Sequence, residues 1–445
     1  MERLVLEQLV KWKNSKYRKP LILKGVRQVG KTWILKEFGK RFYESTAYFN
    51  FDEQPELKQF FETTKDVNRI LQNLMMVNGS PIHPEKTLII FDEIQECNKA
   101  LNTLKYFCES APLYHVASAG SLLGISLGKD NSFPVGKVDF LNIKPMTFTE
   151  FLLANGDSNL VDYMKSIEVI ESIPQMFFNQ LEEKLKMYFV TGGMPESVYA
   201  WTEERDVDLV QTVLYNILNA YERDFAKHAD NKDFPKISLL WHSIPSQLSR
   251  ENKKFLYKLA KEGARAREYE DSLLWLCNAE LVYKTYRLTK PGLPISAYDD
   301  ISAFKLYLSD VGLLRRLSHL APSAFNEGMR LFSEFKGALS ENFVLQALVN
   351  QYEVEPRYWN DGNAQNEVDF IIQRENDIFP IEVKSDENID SKSLKIYDEK
   401  YRENTKLRLR FSMRNLKLDG NLLNIPLFLI DYMDKFIEIG IENRK

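Results

Sequence analysis

The stretch LILKGVRQVGKT, residues 21–32, decides the fold of the N-terminal part of this protein. Leu21–Leu23 form a short apolar run that predicts a buried strand, and a helix-forming run follows from Trp33 to Phe42. Between them, residues 25–32 fit the pattern G-x-x-x-x-G-K-[ST] at every fixed position. A strand, a loop and a helix in this order predict a phosphate-binding loop.

The residue types in this loop suit the binding of phosphate. Gly25 and Gly30 let the backbone turn so that N–H groups point inward and form a nest for anions. The following helix adds the partial positive charge of its N-terminus. We expect Lys31 to reach the β- and γ-phosphates of a nucleotide and the Thr32 hydroxyl to bind Mg²⁺. The predicted nucleotide-binding residues of the loop are Gly25, Val26, Arg27, Gln28, Val29, Gly30, Lys31 and Thr32.

A second stretch, TLIIFDE at residues 87–93, is typical of a buried parallel strand that ends in two acids. Ligands of open α/β sheets bind at the carboxyl ends of strands, so Asp92 is predicted to bind nucleotide and complete the Mg²⁺ site with Thr32. Glu93 is predicted to be the catalytic base that polarises an attacking water, which favours hydrolysis of the nucleotide. The alternative is a strand that ends in a solvated acidic turn. No N-K-x-D motif for guanine is found in a suitable place, so ATP is the predicted nucleotide.

Composition limits the class of protein. The 445 residues suggest about three domains, and 44% hydrophobic with 27% charged residues is ordinary for a globular protein. A net charge of −4 gives no overall basic field for nucleic acid. The three cysteines match no zinc or disulfide spacing, which predicts a reducing cytoplasm. No apolar run approaches about 20 residues, so no membrane span or membrane partner is expected.

Strands and helices alternate over residues 20–145, which predicts a three-layer α/β domain with a parallel sheet. The strand Leu113–Ala117 ends at the sequence SAGS. A polar residue at the tip of this strand can sense the γ-phosphate, and Ser118 and Ser121 are the candidates. The alternative is that each is an ordinary turn serine.

After residue 147 helices predominate, and residues 235–320 combine short helices with a strand–turn–strand pattern. Helices are expected at Phe255–Ala260 and Tyr269–Cys277, and strands at Leu281–Leu288 and Phe304–Leu308. This order predicts a winged-helix module. Residues 250–290 carry ten Lys/Arg against six Asp/Glu, which makes DNA a candidate partner. A solvated helix face is the alternative for these basic residues, which are Arg250, Lys253, Lys254, Lys258, Arg265 and Arg267.

The last segment contains a predicted hairpin with acids on one face. Its strands are Glu367–Ile372 and Pro380–Lys384, joined by the polar residues 373–378. A period of two places Val368, Phe370 and Ile372 on one face with Ile381 and Val383. The same period places Glu367 and Asp369 on the other face with Glu382 and Lys384.

Asp369 and Glu382 can hold a divalent cation through oxygen ligands, and Lys384 can position a water for attack on a phosphodiester. The predicted catalytic residues here are therefore Asp369, Glu382 and Lys384. Residues 391–415, with eight Lys/Arg against three Asp/Glu, can bind a nucleic-acid backbone beside them. The alternative is a half-solvated hairpin whose polar face alternates as any strand does.

From about residue 15 to 435 the sequence resembles a large prokaryotic family of AAA-type ATPases. In that family the C-terminal part is a domain of unknown function with a restriction-endonuclease-like end. The resemblance rests on the strings GVRQVGKT, LIIFDEIQ, ASAGSLLG, FPVGKVDFLNIKPMTFTEFL, GGMPESV, WHSIPSQLSRENKKF, FKLYLSDVGLL, ENFVLQ and EVDFII…PIEVKS. It implies an ATPase core at 1–146, a helical lid at 147–232, a winged helix at 233–330 and a restriction-endonuclease-like α/β domain at 331–445.

The resemblance also implies roles for further residues. By similarity to signal-transducing members of the same ATPase class, the Gly193-Met194-Pro195 turn packs over the adenine, which makes Pro195 a nucleotide-binding candidate. The nuclease-like pattern D…E-x-K is intact at residues 369, 382 and 384, and Glu341 matches the helical acid of some relatives. The implied metal ligands of this segment are Glu341, Asp369 and Glu382.

Two hypotheses of function follow. The first is an ATPase with Mg²⁺ that couples nucleotide state to DNA binding or to metal-dependent DNA cleavage by its C-terminal domain. The second is a nucleotide-switched regulatory or sensor protein whose C-terminal domain only binds a partner. The sequence decides neither self-association nor an arginine finger, for which Arg223 and Arg250 are candidates.

Overall fold

The computed structural model describes residues 2–120, 134–250, 253–325, 333–362, 366–385 and 391–443. The chain divides into two compact units. The N-terminal unit contains residues 2–144 with 278–280, and the C-terminal unit contains residues 145–277 and those from 281 onward. Within these described ranges, no helix is long and apolar enough to cross a membrane.

The N-terminal unit is built on a parallel sheet of five strands in the order β2-β3-β4-β1-β5. A buried apolar cluster joins Ile22, Ile89 and Phe91 of the sheet to Ile70 and Leu104 of the helices that follow. The elements are α1 Val5–Asn14, β1 Leu21–Lys24, α2 Lys31–Phe42, β2 Ser45–Asn50, α3 Lys58–Glu62, α4 Val67–Asn78, β3 Thr87–Asp92, α5 Asn98–Ser110, β4 His115–Ala119 and β5 Asp139–Asn142. The predicted parallel α/β core is confirmed.

The C-terminal unit begins with helices and continues into one mixed sheet of eight strands. The helices are α6 Phe148–Ala154, α7 Ser158–Ser166, α8 Gln175–Thr191, α9 Pro195–Glu204, α10 Val207–His228, α11 Phe234–Leu248, α12 Ala266–Asn278, α13 Val311–Leu317, α14 Ser333–Gln351, α15 Lys392–Lys400 and α16 Met433–Glu442. The strands are β6 Val282–Leu288, β7 Asp299–Leu308, β8 Arg357–Asn360, β9 Glu367–Arg374, β10 Asp377–Val383, β11 Arg408–Ser412, β12 Lys417–Asp419 and β13 Leu422–Pro426.

The strands predicted as a wing belong to this sheet, whose order is β12-β13-β11-β10-β9-β8-β6-β7. Strand β6 pairs with β7 in antiparallel and with β8 in parallel orientation. The border expected between residues 330 and 331 therefore falls between strands that share one sheet. The winged-helix and restriction-endonuclease-like assignments stay predictions.

Two local expectations in this unit are wrong. The segment 255–260, expected to be a helix, forms only one 3-10 turn at Tyr257–Leu259. The hairpin connection is two residues rather than six, because β9 continues to Arg374 and β10 already begins at Asp377. Polar side chains made these positions resemble a loop, but their backbones pair with each other across the hairpin.

A β-bulge interrupts β9 at the residues predicted to form one apolar face. Two steps along β8, from Arg357 to Trp359, match three steps along β9, from Ile371 to Val368. The extra residue breaks the alternation of side chains. Val368 and Ile371 consequently share one buried cluster with Trp359, whereas the Phe370 ring lies 5.6 Å from that of Tyr307. The predicted common face of residues 368, 370 and 372 is wrong for this reason.

A buried carboxylate ties three elements of the C-terminal unit together. Asp310 accepts hydrogen bonds from Gly193 N at 2.6 Å, from Leu313 N at 2.9 Å and from Gln346 Nε2 at 3.4 Å. It thereby caps α13 and joins it to α14 and to the turn that ends α8. Burial raises the pKa of Asp310 to about 6, against the opposing effect of these donors.

We expect Gly192→Ala to destabilise the C-terminal unit by about 2–3 kcal/mol. Gly192 has a φ of +67°, and an added Cβ would lie 2.9 Å from Asp310 Cγ and 2.9 Å from Gly312 Cα. Gly156→Ala is the matched control, because Gly156 has a φ of +80° with nothing within 4 Å of an added Cβ. Denaturant unfolding should show a cost of only about 1 kcal/mol for the control. Equal losses in the two variants would contradict the steric argument.

Candidate functional site

The phosphate loop connects β1 to α2 and depends on left-handed backbone. Gly25, Gln28 and Gly30 have φ values of +142°, +64° and +89°. An added Cβ at Gly25 would lie 3.2 Å from the carbonyl carbon of Ile143, so only glycine fits against the residue that follows β5. Gly30 is the N-cap of α2, which begins at Lys31. The left-handed backbone of Gln28 could not be predicted from the sequence, because glutamine does not favour this conformation.

Lys31 is buried in this loop and its ammonium donates to backbone carbonyls. Nζ lies 2.8 Å from Gly25 O and 3.1 Å from Val26 O. Burial lowers the pKa of Lys31 to about 8, against the opposing charge of Glu93. A buried cation with a lowered pKa is stabilised by any anion that reaches the loop.

Asp92 lies at the end of β3 and gathers two hydroxyl groups. Thr32 Oγ1 and Tyr48 OH each donate to Asp92 Oδ2 at 2.8 Å. A hydroxyl and a carboxylate side by side are the oxygen ligands that Mg²⁺ takes, so Thr32 and Asp92 fit the predicted metal site. Tyr48 was not found from the sequence, because its approach depends on the pairing of β2 with β3.

Glu93 follows β3 and is held by a neighbouring amide. Its backbone is left-handed, with a φ of +48°, and its Oε2 accepts a hydrogen bond from Gln95 Nε2 at 2.5 Å. This bond orients the carboxylate predicted to act as catalytic base. Gln95 lies in the 3-10 turn Ile94–Glu96, and no sequence pattern indicated this role for it.

The remaining nucleotide candidates differ in what the structure describes. Ser118, near the end of β4, is fully buried, and its Oγ has no hydrogen-bond partner among the described residues. Ser121 lies outside the described residues. Pro195 is the first residue of α9 in the C-terminal unit, and its role stays a prediction.

In the C-terminal unit, the three acids predicted to bind a metal lie on the hairpin and on α14. Each interacts with a lysine or with a backbone N–H. Glu382 Oε1 lies 2.7 Å from Lys384 Nζ, and Glu341 Oε1 forms an ion pair with Lys253. Asp369 Oδ2 instead accepts a hydrogen bond from Val383 N at 2.8 Å.

Three further residues complete this carboxylate cluster. Lys305 of β7 is fully buried and pairs with Glu367, and Tyr307 OH donates to Glu341 Oε2 at 3.2 Å. The carboxylate cluster is thus formed by Lys253, Lys305, Tyr307, Glu341, Glu367, Asp369, Glu382 and Lys384. The sequence did not indicate roles here for Lys305 or Tyr307, because they approach through the pairing of distant strands.

Burial and like charge act on the acids of the carboxylate cluster. Burial, reinforced by Glu341, raises the pKa of Asp369 to about 7. Burial also raises the pKa of Glu382, although Lys384 opposes the shift. Such shifts occur where carboxylates are brought together away from water, as at many functional sites.

These carboxylates fit a divalent cation only in part. Glu382 Oε2 is buried and makes no hydrogen bond of normal geometry within the described ranges, although Ser391 as well as Lys384 acts on the Glu382 carboxyl by hydrogen bonding. Glu341 differs, because Lys253 and Tyr307 engage both of its oxygens. In the described ranges no three Asp, Glu, His or Cys side chains are arranged to hold a metal ion. The predicted ligand set of Glu341, Asp369 and Glu382 stays a prediction.

Comparison with protein families gives three matches along the chain. Residues 17–152 match an AAA domain. Most of the N-terminal unit lies within this match to an AAA domain. Residues 182–324 match a domain of unknown function, DUF8612, and residues 336–429 match another, DUF4143. The phosphate loop, Asp92 and Glu93 all lie within the AAA domain.

The matches among solved structures include three proteins of low identity. A Walker-type ATPase of Pyrococcus abyssi matches with 13% identity and a TM-score of 0.44, over 71% of this chain and 95% of that one. The RuvB branch migration motor of Thermotoga maritima matches with 13% identity and a TM-score of 0.31, over 64% and 90%. The ORC1 protein of Aeropyrum pernix in complex with DNA matches with 14% identity and a TM-score of 0.24, over 72% and 91%. A search among curated proteins found no match.

We expect Lys31→Met to stabilise the nucleotide-free AAA domain at pH 7, on the order of 2 kcal/mol, while abolishing ATP binding. The pKa of Lys31 falls from 10.5 to about 8 on folding, so between these values the unfolded chain binds more protons. The free energy of unfolding of the wild type should therefore rise with pH across this window. The variant should lack this rise.

The control for this measurement is Lys40→Met, an exposed position on the same helix. Thermal unfolding at pH 7 and pH 10 compares the three proteins without nucleotide. A Lys31→Met variant that is less stable than the wild type at pH 7 would contradict the assignment of a desolvated ammonium.

Proposed function

We propose that this protein hydrolyses ATP in its AAA domain and uses the nucleotide state to control its C-terminal unit. The observation that carries the proposal is the convergence of Lys31, Thr32, Asp92 and Glu93 where β1 and β3 end. Phosphate binding, metal ligation and activation of water each have a residue there.

The AAA domain residues divide the chemistry as follows. When the nucleotide binds, the Lys31 ammonium gives up its hydrogen bonds to the carbonyls of Gly25 and Val26 and donates to phosphate oxygens. Its positive charge then stabilises the phosphates. Glu93, oriented by Gln95, accepts the proton of the attacking water. Thr32 and Asp92 would hold Mg²⁺, which supplies positive charge to the β- and γ-phosphates when bound.

The Glu93→Gln variant tests the base. We expect it to bind ATP as the wild type does and to lose about a hundredfold or more in kcat, because the amide cannot accept the proton of the water. Phosphate release gives kcat, and equilibrium binding of a labelled ATP analogue gives affinity. Glu96→Gln, three residues further on, is the matched control and should keep both. Wild-type turnover in Glu93→Gln would assign the base to another residue.

A second proposal concerns the C-terminal unit, as a DNA-binding and metal-dependent DNA-cleaving element. The buried Glu382 Oε2 without a partner supports a cation there, and Asp369 interacts electrostatically with both Glu382 and Lys384. Lys384 would then orient the water that attacks the phosphodiester. The competing proposal is a nucleotide-switched regulator in which the same acids only stabilise the fold.

Cleavage of single-stranded, duplex and branched DNA separates the two proposals. Wild type is compared with Glu382→Gln under Mg²⁺ or Mn²⁺, with and without ATP. If Glu382 is a metal ligand, its amide variant should lose cleavage, because a neutral oxygen binds the cation weakly. The control is Asp377→Asn, which should cleave normally. Asp377 lies on the same strand β10 and forms an ion pair with the exposed Lys406. A wild type that hydrolyses ATP but cleaves no substrate would favour the regulator.

A further inference from the structure

Lysine ammonium groups compensate three of the four acids of the carboxylate cluster, each in its own pair. Lys253 pairs with Glu341, Lys305 with Glu367 and Lys384 with Glu382. Each of these lysines lies close to a carboxylate that is at least largely buried, with Glu341 at 5% and Glu382 at 4% exposure. A buried carboxylate requires such a counter-charge, whether from the protein or from a metal ion.

The pair of Lys253 and Glu341 differs from the other two because both carboxylate oxygens of Glu341, a predicted metal ligand, have a partner within the protein. Lys253 occupies Oε1 and Tyr307 occupies Oε2 of Glu341. Lys253 also acts electrostatically on Asp369, so its positive charge bears on two of the three predicted ligands. Glu382, by contrast, keeps one oxygen without a partner among the described residues.

Packing beside Lys253 holds it in this position. Two residues further on, Phe255 is buried and stacks on Phe304 of β7 with ring centroids 5.3 Å apart. Phe255 N donates to Phe304 O at 2.7 Å. The side chain of Lys253 is only 14% exposed. The ion pair is therefore part of a packed segment and is more than a surface contact.

We propose that Lys253 is a built-in cation that competes with a divalent metal ion for Glu341 and thereby restrains the metal site. The inference rests on the proposed metal-dependent activity of the C-terminal unit. A divalent cation on Glu341 Oε1 would lie beside the like charge of the Lys253 ammonium, so metal binding there works against the ion pair with Lys253. Removing the ammonium should therefore tighten metal binding through Glu341 and Asp369 together.

The test measures binding of Mn²⁺ alone, without nucleotide or DNA, to the full chain by electron paramagnetic resonance. Wild type is compared with Lys253→Met and with the double variant Lys253→Met, Asp369→Asn. Lys261→Met, an exposed lysine eight residues away, is the matched control for the loss of one charge. Any Mn²⁺ held by the AAA domain is common to all four proteins and cancels in the comparison.

We expect Lys253→Met to bind Mn²⁺ at least about tenfold more tightly than the wild type. The gain should be absent in Lys261→Met and lost in the double variant. A wild type that already binds Mn²⁺ through Asp369 as tightly as Lys253→Met would overturn the competition and leave the metal site intact. Absence of an Asp369-dependent ion in every protein would overturn both the competition and the metal-dependent part of the proposed function.

Removal of the ammonium leaves Glu341 buried with Tyr307 as its donor, so the fold of the variant is checked by thermal unfolding. Lys253→Gln is the second variant, because its amide can still donate to Glu341 but carries no charge. It should show the same direction of change in Mn²⁺ affinity. A Lys253→Gln protein that folds as the wild type does and binds Mn²⁺ no more tightly would also overturn the proposal.

Discussion

Compensation of buried charge is the constraint on which both units of this protein depend. An ionised group that leaves water must find an opposite charge or several hydrogen bonds inside the protein. In the AAA domain, Lys31 satisfies this requirement with loop carbonyls, and Asp92 with two hydroxyls. In the C-terminal unit, Asp310 does so with backbone and amide donors, and the carboxylate cluster does so with lysines. The groups available to a ligand are therefore those whose internal partners can be exchanged.

The two candidate sites differ in the kind of partner that an incoming ligand must replace. At the phosphate loop, the partners of Lys31 are neutral carbonyls of its own loop, so a phosphate is a stronger partner for the ammonium than the groups it replaces. In the carboxylate cluster, three of the four acids are paired with lysines, so a cation that binds through a paired oxygen must act against a charge of the same sign. The phosphate loop can therefore bind its ligand without displacing a charge, whereas binding of a cation to the carboxylate cluster is opposed by the lysines.

The AAA domain could be predicted from the sequence because its signals are local. The loop pattern, the apolar strand ending in Asp92 and Glu93, and the alternation of strands and helices all extend over short stretches. Tyr48 and Gln95 escaped prediction for a different reason. Tyr48 reaches Asp92 only through the pairing of β2 with β3, and Gln95 reaches Glu93 only through the left-handed turn after β3.

The sequence predicted the two strands of the C-terminal hairpin, but not the length of its turn or the bulge in β9. A period of two is correct for an unbroken strand, and the bulge in β9 invalidates it within four residues. Lys253 and Glu341 are 88 residues apart, and no property of either neighbourhood indicates that they meet. Ion pairs between distant segments become visible only when the order of strands in the sheet is known.

The single eight-stranded sheet has a consequence for how the C-terminal unit can act. Lys305 and Tyr307 lie on β7, whereas their partners Glu367 and Glu341 lie on β9 and α14. A border drawn at residue 331 would separate these acids from the lysine and the tyrosine that satisfy them, and burial would then favour their protonation. Lys253, in the segment predicted to contact DNA, likewise pairs with Glu341, so this segment and the one predicted to cleave DNA are electrostatically coupled. A ligand that changes the charge on either segment changes the stability of the other.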